Sequence, residues 1–194
     1  MTDYTVAPFP RFDENTAPEA SKEHLLAAKA AFGLIPNVEA VMAQAPTLLG
    51  TYMAGWDQFG QTSFSAAEQQ IVYMTNNFEN NCDYCSAWHT ILAEQSDLST
   101  DDVEALRQGG RLSDPKLEAL RVFTQSLVRT RGNLAPADLK AFFAAGYTEQ
   151  QALEVVLGSA VKLMSNYTNA ISQTPLDEAA QAKAWVKPTL RAKA

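Results

Sequence analysis

Asn80-Asn81-Cys82-Asp83-Tyr84-Cys85-Ser86-Ala87-Trp88-His89 is the stretch on which the reading of this chain turns. It holds both cysteines of the sequence and one of its two histidines. The asparagine pair marks a break, and the residues after it read as the opening of a helix running to about Glu94. Cys82 and Cys85 are three residues apart, Cys85 and His89 four. On a helix those spacings put all three side chains on one face. A sulfur at a helix N-terminus meets unsatisfied N–H groups and the positive end of the helix dipole, which favours the thiolate. A histidine one turn away can accept the thiol proton or stabilise the thiolate. A second cysteine three residues off can trap a sulfenic acid or a mixed disulfide as an intramolecular disulfide. The structural alternative is a zinc site, but only Cys82, Cys85 and His89 are local, and His24 lies in an unrelated segment, whereas closed zinc sites draw on two ligand pairs.

Outward from this motif the pattern is helical throughout. Ser65 and Glu68 form a capping box for a helix holding Ile71, Val72, Met74 and Phe78. Upstream, a helix is expected from about Glu19 to Phe32 with Gly33 as its C-cap, then a short one through Val38, Val41 and Met42. A third starts at Pro46 and carries Leu48, Leu49, Tyr52, Met53 and Trp56. Downstream, Ser99 with Asp102, Asp114-Pro115 and Pro136 each start a helix. Thr148 caps a long one over Leu153–Ile171, and a last helix is expected over Asp177–Trp185. The acidic run Asp97, Asp101, Asp102 and Glu104 reads as helix-start preference and solvated surface. Residues 1–18, with Pro8, Pro10 and Pro18, read as an extended arm. No strand alternation and no hairpin turn signal is visible, so the fold class is all-α, in one domain over 1–194. Trp56, Phe78, Tyr84 and Trp88 read as core or subunit interface. Asn166 and Asn169, at i and i+3 on an apolar helix, either satisfy buried groups near the cysteine helix or hydrogen-bond across a subunit contact.

The bulk numbers bound the function. The chain has 194 residues, 46% hydrophobic and 19% charged, with 15 basic and 22 acidic side chains for a net charge of −7. A chain this long buries about 70% of its unfolded surface, so it needs no disulfide or metal to fold. The acidic balance disfavours nucleic acid and anionic membranes as partners. No apolar run is long enough to span a bilayer. The N-terminus Met1-Thr2-Asp3-Tyr4-Thr5-Val6 lacks a basic and then apolar leader, so the expected location is cytoplasmic. Paired cysteines in a reducing compartment read as redox-active or metal-binding rather than as a structural staple. No phosphate-cradling glycine loop and no nucleophile elbow is present.

Cys82-Asp83-Tyr84-Cys85-Ser86-Ala87-Trp88-His89 resembles the Cys-x-x-Cys-x-x-x-His motif of the AhpD-like (alkylhydroperoxidase D-like) proteins of the carboxymuconolactone decarboxylase superfamily. Gly33-Leu34-Ile35-Pro36-Asn37, the Ser65-Ala66-Ala67-Glu68 helix start, and Asn166-Tyr167-Thr168-Asn169 with Thr174-Pro175-Leu176-Asp177 resemble its peroxidase-related branch. The resemblance implies an all-helical homo-oligomer, commonly a trimer or hexamer, and a cofactor-free thiol peroxidase. It implies that Cys85 attacks the hydroperoxide, that Cys82 resolves the sulfenic acid to a disulfide, and that an external thiol or dithiol reduces it. It places His89 in a proton relay.

One position departs from that pattern. Twelve residues before the first cysteine, where the family has a glutamate, this chain has Gln70. A glutamine can orient an imidazole or a water but cannot shuttle a proton. Glu68 is about 200° around the helix from it and faces away. Glu79, three residues before Cys82, is a carboxylate close in sequence that could substitute. Gln70 therefore opens a second reading, a thiol–disulfide oxidoreductase or adaptor with weak peroxidase activity. Two further readings come from other classes: a lactone decarboxylase by fold analogy, which has no need of two cysteines, and a non-catalytic oligomer.

Overall fold

The computed structural model describes residues 9–188. They form nine α-helices: α1 Glu19–Phe32, α2 Asn37–Met42, α3 Pro46–Gly60, α4 Ala66–Glu79, α5 Asp83–Glu94, α6 Thr100–Gln108, α7 Pro115–Thr130, α8 Pro136–Ala144 and α9 Glu149–Ser172. A 3-10 helix, Glu178–Lys183, stands where an α-helix was expected at the end of the chain. No strand occurs among the described residues, so the all-α expectation holds.

The punctuation is chemical at each boundary. Ser65 accepts the Glu68 backbone N–H while the Glu68 carboxylate accepts from the Ser65 N–H. Thr148 and Gln151 repeat the arrangement at the start of α9. Such caps are each worth about 1 kcal/mol. Gly33 takes a left-handed φ of 75° at the end of α1. Of the expected N-terminal arm, residues 1–8 lie outside the described residues. Residues 9–12 lie along α2, with Phe12 N–H donating to the Ala40 carbonyl and Arg11 to Asn37 Oδ1.

Helix α4 is the centre of the bundle, packed by α5, α7 and α9, and α9 also lies along α3. Two glycines set that approach. A Cβ on Gly158 would come within 2.6 Å of the Phe59 ring and 2.9 Å of Val72, and one on Gly55 within 2.9 Å of Val161. Bare backbone at these points lets α9 lie close on α3 and α4, and Lys162 follows one turn after Gly158. The opposite face of α9 is apolar but exposed at Leu153, Val156, Leu163, Tyr167 and Ile171. The expectation of a solvated Asp102 is corrected. It is buried, accepting from the Ser113 N–H and hydroxyl and from Ser99, because the loop before α7 folds back over the start of α6. Among the described residues no helix is long and apolar enough to cross a membrane.

Candidate active site around the cysteine helix

Asn81 adopts φ 56°, the left-handed region that asparagine tolerates better than most residues. That single residue turns the chain between α4 and α5. Cys82 becomes the N-cap of α5, its N–H donating to the Asn77 carbonyl and its sulfur accepting the Cys85 N–H at 3.3 Å. The two cysteines come within 2.8 Å of each other, and both are free and buried. Asn169 Nδ2, from α9, donates to both sulfurs, at 3.2 Å to Cys85 and 3.7 Å to Cys82. Of the two roles open for the asparagines, Asn169 takes the first. Asn166 does so too, donating to Asn77 and accepting from Asn80.

His89 lies between two partners. Its Nδ1 is 2.9 Å from Gln70 Oε1, and its Nε2 is 3.0 Å from Lys162 Nζ. An ammonium only donates, so Nε2 accepts, Nδ1 carries the proton, and the Gln70 carbonyl receives it. Burial, reinforced by Lys162, drives the imidazole pKa well below its usual value, so the ring is neutral. Both ring nitrogens are thereby engaged, and among the described residues neither is hydrogen-bonded to a cysteine. The structure does not bring Glu79 to the cysteines. Its carboxylate takes two bonds from Arg129 and one from Gln125 on α7, which hold it ionised there against its partial burial.

Lys162 and Glu39 are the site residues that the sequence reading passed over. Lys162 is 1% exposed, with its ammonium 5.4 Å from the centre of the Tyr73 ring as well as at His89. Glu39 is 4% exposed, and its Oε2 is buried with no hydrogen-bond partner among the described residues. Burial raises its carboxyl to about 8, with Asp177 adding to the effect and Lys162 opposing it. Each carried a faint signal: a lone charge within an apolar run, Val38-Glu39-Ala40-Val41-Met42 and Ala160-Val161-Lys162-Leu163-Met164. Such a charge is costly inside a protein unless it is paired or neutralised.

Glu39, Lys162, Cys85 and His89 line one cavity of about 30 Å³, walled by Phe32, Tyr52, Trp56, Tyr84 and Trp88. Three of the four aromatic residues read as core or interface therefore wall this cavity. Phe78 packs instead against Trp185. Asp177 fixes two of the walls, accepting from the Tyr84 hydroxyl, from Trp88 Nε1 at 2.9 Å and from the Asn37 N–H at 3.1 Å. Cys82 lines a different space, a groove of about 530 Å³ bordered by Asn80, Asn81, Asn169, Gln173 and Lys187. The thiols diverge accordingly. Burial opposes ionisation of both. At Cys85 the bond from the Cys82 thiol, the Lys162 ammonium and the Ser165 hydroxyl overcome it and lower the pKa. At Cys82 burial and the bond to Cys85 push it up. Among the described residues no group of three His, Cys, Asp or Glu side chains could hold a metal.

Several solved structures share this architecture. An alkylhydroperoxidase AhpD core, an uncharacterized peroxidase-related protein from Ralstonia eutropha JMP134, superposes with a TM-score of 0.75 at 19% identity, covering 90% of this chain and 95% of that one. An uncharacterized peroxidase-related protein from Silicibacter sp. TM1040 gives 0.75 at 16% identity over 92% and 94%. A cysteine-to-alanine variant of the debrominase Bmp8, in complex with 2,3,4-tribromopyrrole, gives 0.77 at 16% identity over 93% and 97%. No protein-family model matches the sequence, and no curated protein does. At these identities the likeness defines the fold, and the chain has the all-helical AhpD-like fold.

Proposed function

We propose that this chain is a cofactor-free thiol peroxidase that cycles through a Cys82–Cys85 disulfide. The observation that carries the reading is the asymmetric cysteine pair, with Cys85 held beside a buried ammonium in a cavity sized for a small polar group. A volume of about 30 Å³ takes one or two water-sized groups, which suits the two oxygens of a hydroperoxide. The Cys85 thiolate attacks the terminal oxygen. An S–O bond forms, the O–O bond breaks, and the alkoxide takes up one proton. The Cys82 thiol then attacks the sulfenic sulfur, forming the disulfide and releasing water. An external thiolate enters the groove beside Cys82 and attacks that sulfur. Cys85 departs, as the lower-pKa thiol is the better leaving group. A second thiol equivalent completes the two-electron reduction. Lys162 stabilises the Cys85 thiolate, His89 holds Lys162 through Nε2, and Gln70 fixes the imidazole tautomer.

The test is peroxide-dependent oxidation of a dithiol such as dihydrolipoamide. Cys85→Ser is expected to abolish it. Cys82→Ser is expected to stop after one sulfenic acid per chain. Unchanged turnover by Cys85→Ser contradicts the assignment.

A second reading is favoured by the aromatic walls Phe32, Trp56, Tyr84 and Trp88, together with the debrominase likeness. In reductive dehalogenation the thiolate takes the halogen of an aromatic halide, the ring carbon takes a proton, and Cys82 displaces halide to give the same disulfide. The cavity of about 30 Å³ takes the reacting atoms only, so the ring lies at its aromatic mouth, as the ring of cumene hydroperoxide does in the peroxidase reading. Halide release from a bromopyrrole by the reduced protein, in place of peroxide consumption, selects this reading.

A further inference from the structure

Peroxide cleavage leaves an alkoxide, a strong base formed in an aromatic-walled cavity beside the buried Cys85. A proton donor held in that cavity speeds the cleavage. The groups facing the space are few. Tyr52 from α3 and Tyr84 from α5 are phenols whose acidity burial suppresses. His89 from α5 is neutral, and its bare Nε2 already accepts from Lys162. The Lys162 ammonium from α9 gives one N–H to His89, and its charge serves to hold Cys85 as a thiolate. The Ser165 hydroxyl from α9 donates to the Lys162 carbonyl and is no acid at neutral pH. The Asp177 carboxylate, at the N-cap of the 3-10 helix, stands behind the Tyr84 and Trp88 walls and is an acceptor for Tyr84, Trp88 and Asn37. Glu39 from α2 remains, with its Oε2 buried and without a partner among the described residues.

We propose that Glu39 is the general acid of the oxidative half-reaction, protonating the oxygen that leaves when Cys85 cleaves the peroxide. This assignment rests on the peroxidase reading above and deepens it.

The charges agree with the assignment. A buried ammonium calls for one buried anion. Before reaction that anion is the Cys85 thiolate, and Glu39 is the neutral acid that donates. In the step the S–O bond forms and the O–O bond breaks. The Glu39 carboxyl proton passes to the departing oxygen, leaving a neutral sulfenic acid and a Glu39 carboxylate. The cavity keeps one cation and one anion throughout, so no charge is stranded in a low-dielectric space. When the external dithiol later reduces the disulfide, Cys85 returns as a thiolate, and the proton released by the dithiol restores the Glu39 carboxyl. A carboxyl raised to about 8 is protonated at neutral pH yet acidic enough to donate, the balance expected of a general acid.

The experiment compares Glu39→Gln with the unaltered chain on three electrophiles. Cumene hydroperoxide expels an alkoxide and needs the acid. Peracetic acid expels acetate, which needs no proton. Iodoacetamide expels iodide and reports only on the availability of the thiolate. The expected result is a fall of about 100-fold or more in the rate of Cys85 oxidation by cumene hydroperoxide. The fall in rate above pH 8 should vanish with it. Rates with peracetic acid and iodoacetamide should stay within about 3-fold. Equal loss on all three electrophiles overturns the acid role and makes Glu39 a residue that shapes the thiolate's surroundings. Unchanged rates on all three overturn it as well. A wild-type chain that reacts with iodoacetamide but with neither peroxide removes the peroxidase reading itself, and the acid with it.

Discussion

Cys85 looks into a cavity of about 30 Å³ walled by Phe32, Trp56 and Trp88 and holding Lys162 and Glu39. Cys82, at the cap of the same helix, borders a groove of about 530 Å³ lined by the amides of Asn80, Asn81, Asn169 and Gln173. The two sulfurs are joined by one donor, Asn169 Nδ2, yet their surroundings treat them oppositely. On the cavity side the bond from the Cys82 thiol and the buried Lys162 cation together draw the proton off Cys85. On the groove side burial and the bond to Cys85 outweigh the pull of Lys162 and keep Cys82 a thiol. One helical turn thus separates a site suited to a small electrophile from one suited to a bulky thiol. In the proposed cycle each half-reaction has its own space, so peroxide and reductant need not compete for one.

The comparison breaks first at Lys162. If its ammonium makes the difference between the two thiols, Lys162→Met, of similar length but uncharged, moves the pH midpoint of Cys85 alkylation up by about a unit or more. Cys85 alkylation at pH 7 then falls roughly 10- to 100-fold and recovers toward pH 9. The sign follows from the direction of the shift. A depressed Cys85 pKa supplies thiolate above its own midpoint, and removing the cation sends that midpoint back toward the ordinary thiol range. Stopped-flow alkylation across pH checks this, and an unmoved midpoint would show that another group sets the thiolate.

A smaller effect is expected on the groove side. Ala170 borders the groove, and Ala170→Trp should slow reduction of the preformed disulfide by a protein dithiol roughly 10-fold. Its oxidation by peroxide should not change. Equal slowing of both half-reactions would mean that the two sulfurs share one access.

The smallest effect is expected at Gln70. Its carbonyl only receives the His89 Nδ1 proton, so Gln70→Glu should change the peroxide rate by less than about 3-fold. A large gain would return the missing carboxylate to the centre of the mechanism, at the expense of Lys162.

The helices were legible because their signals are local. The capping pair at Ser65, the N-cap Thr148, the prolines at Pro46, Pro115 and Pro136, and the glycine after Phe32 each act within a turn or two. So was the placement of Cys82, Cys85 and His89 on one helix, which follows from spacing alone. What stayed hidden depends on packing between distant segments. Lys162 reaches His89 across 73 residues only because Gly158 lets α9 lie against Phe59 and Val72. Glu39 faces the cavity because Asp177, far along the chain, ties down the start of α2. Glu79 looked close to the cysteines in sequence, but Asn81 turns the chain between them and Arg129 holds the carboxylate. Asp102 looked solvated because nothing local announces that Ser113 returns to it.

The most direct test of the account is stoichiometric. The reduced protein is mixed with one equivalent of cumene hydroperoxide, and free thiols and intact mass are followed against time. The account predicts loss of both thiols, a mass lower by two hydrogens, and a Cys82–Cys85 cross-link in the peptide map. Two intact thiols after prolonged exposure to excess peroxide would contradict it.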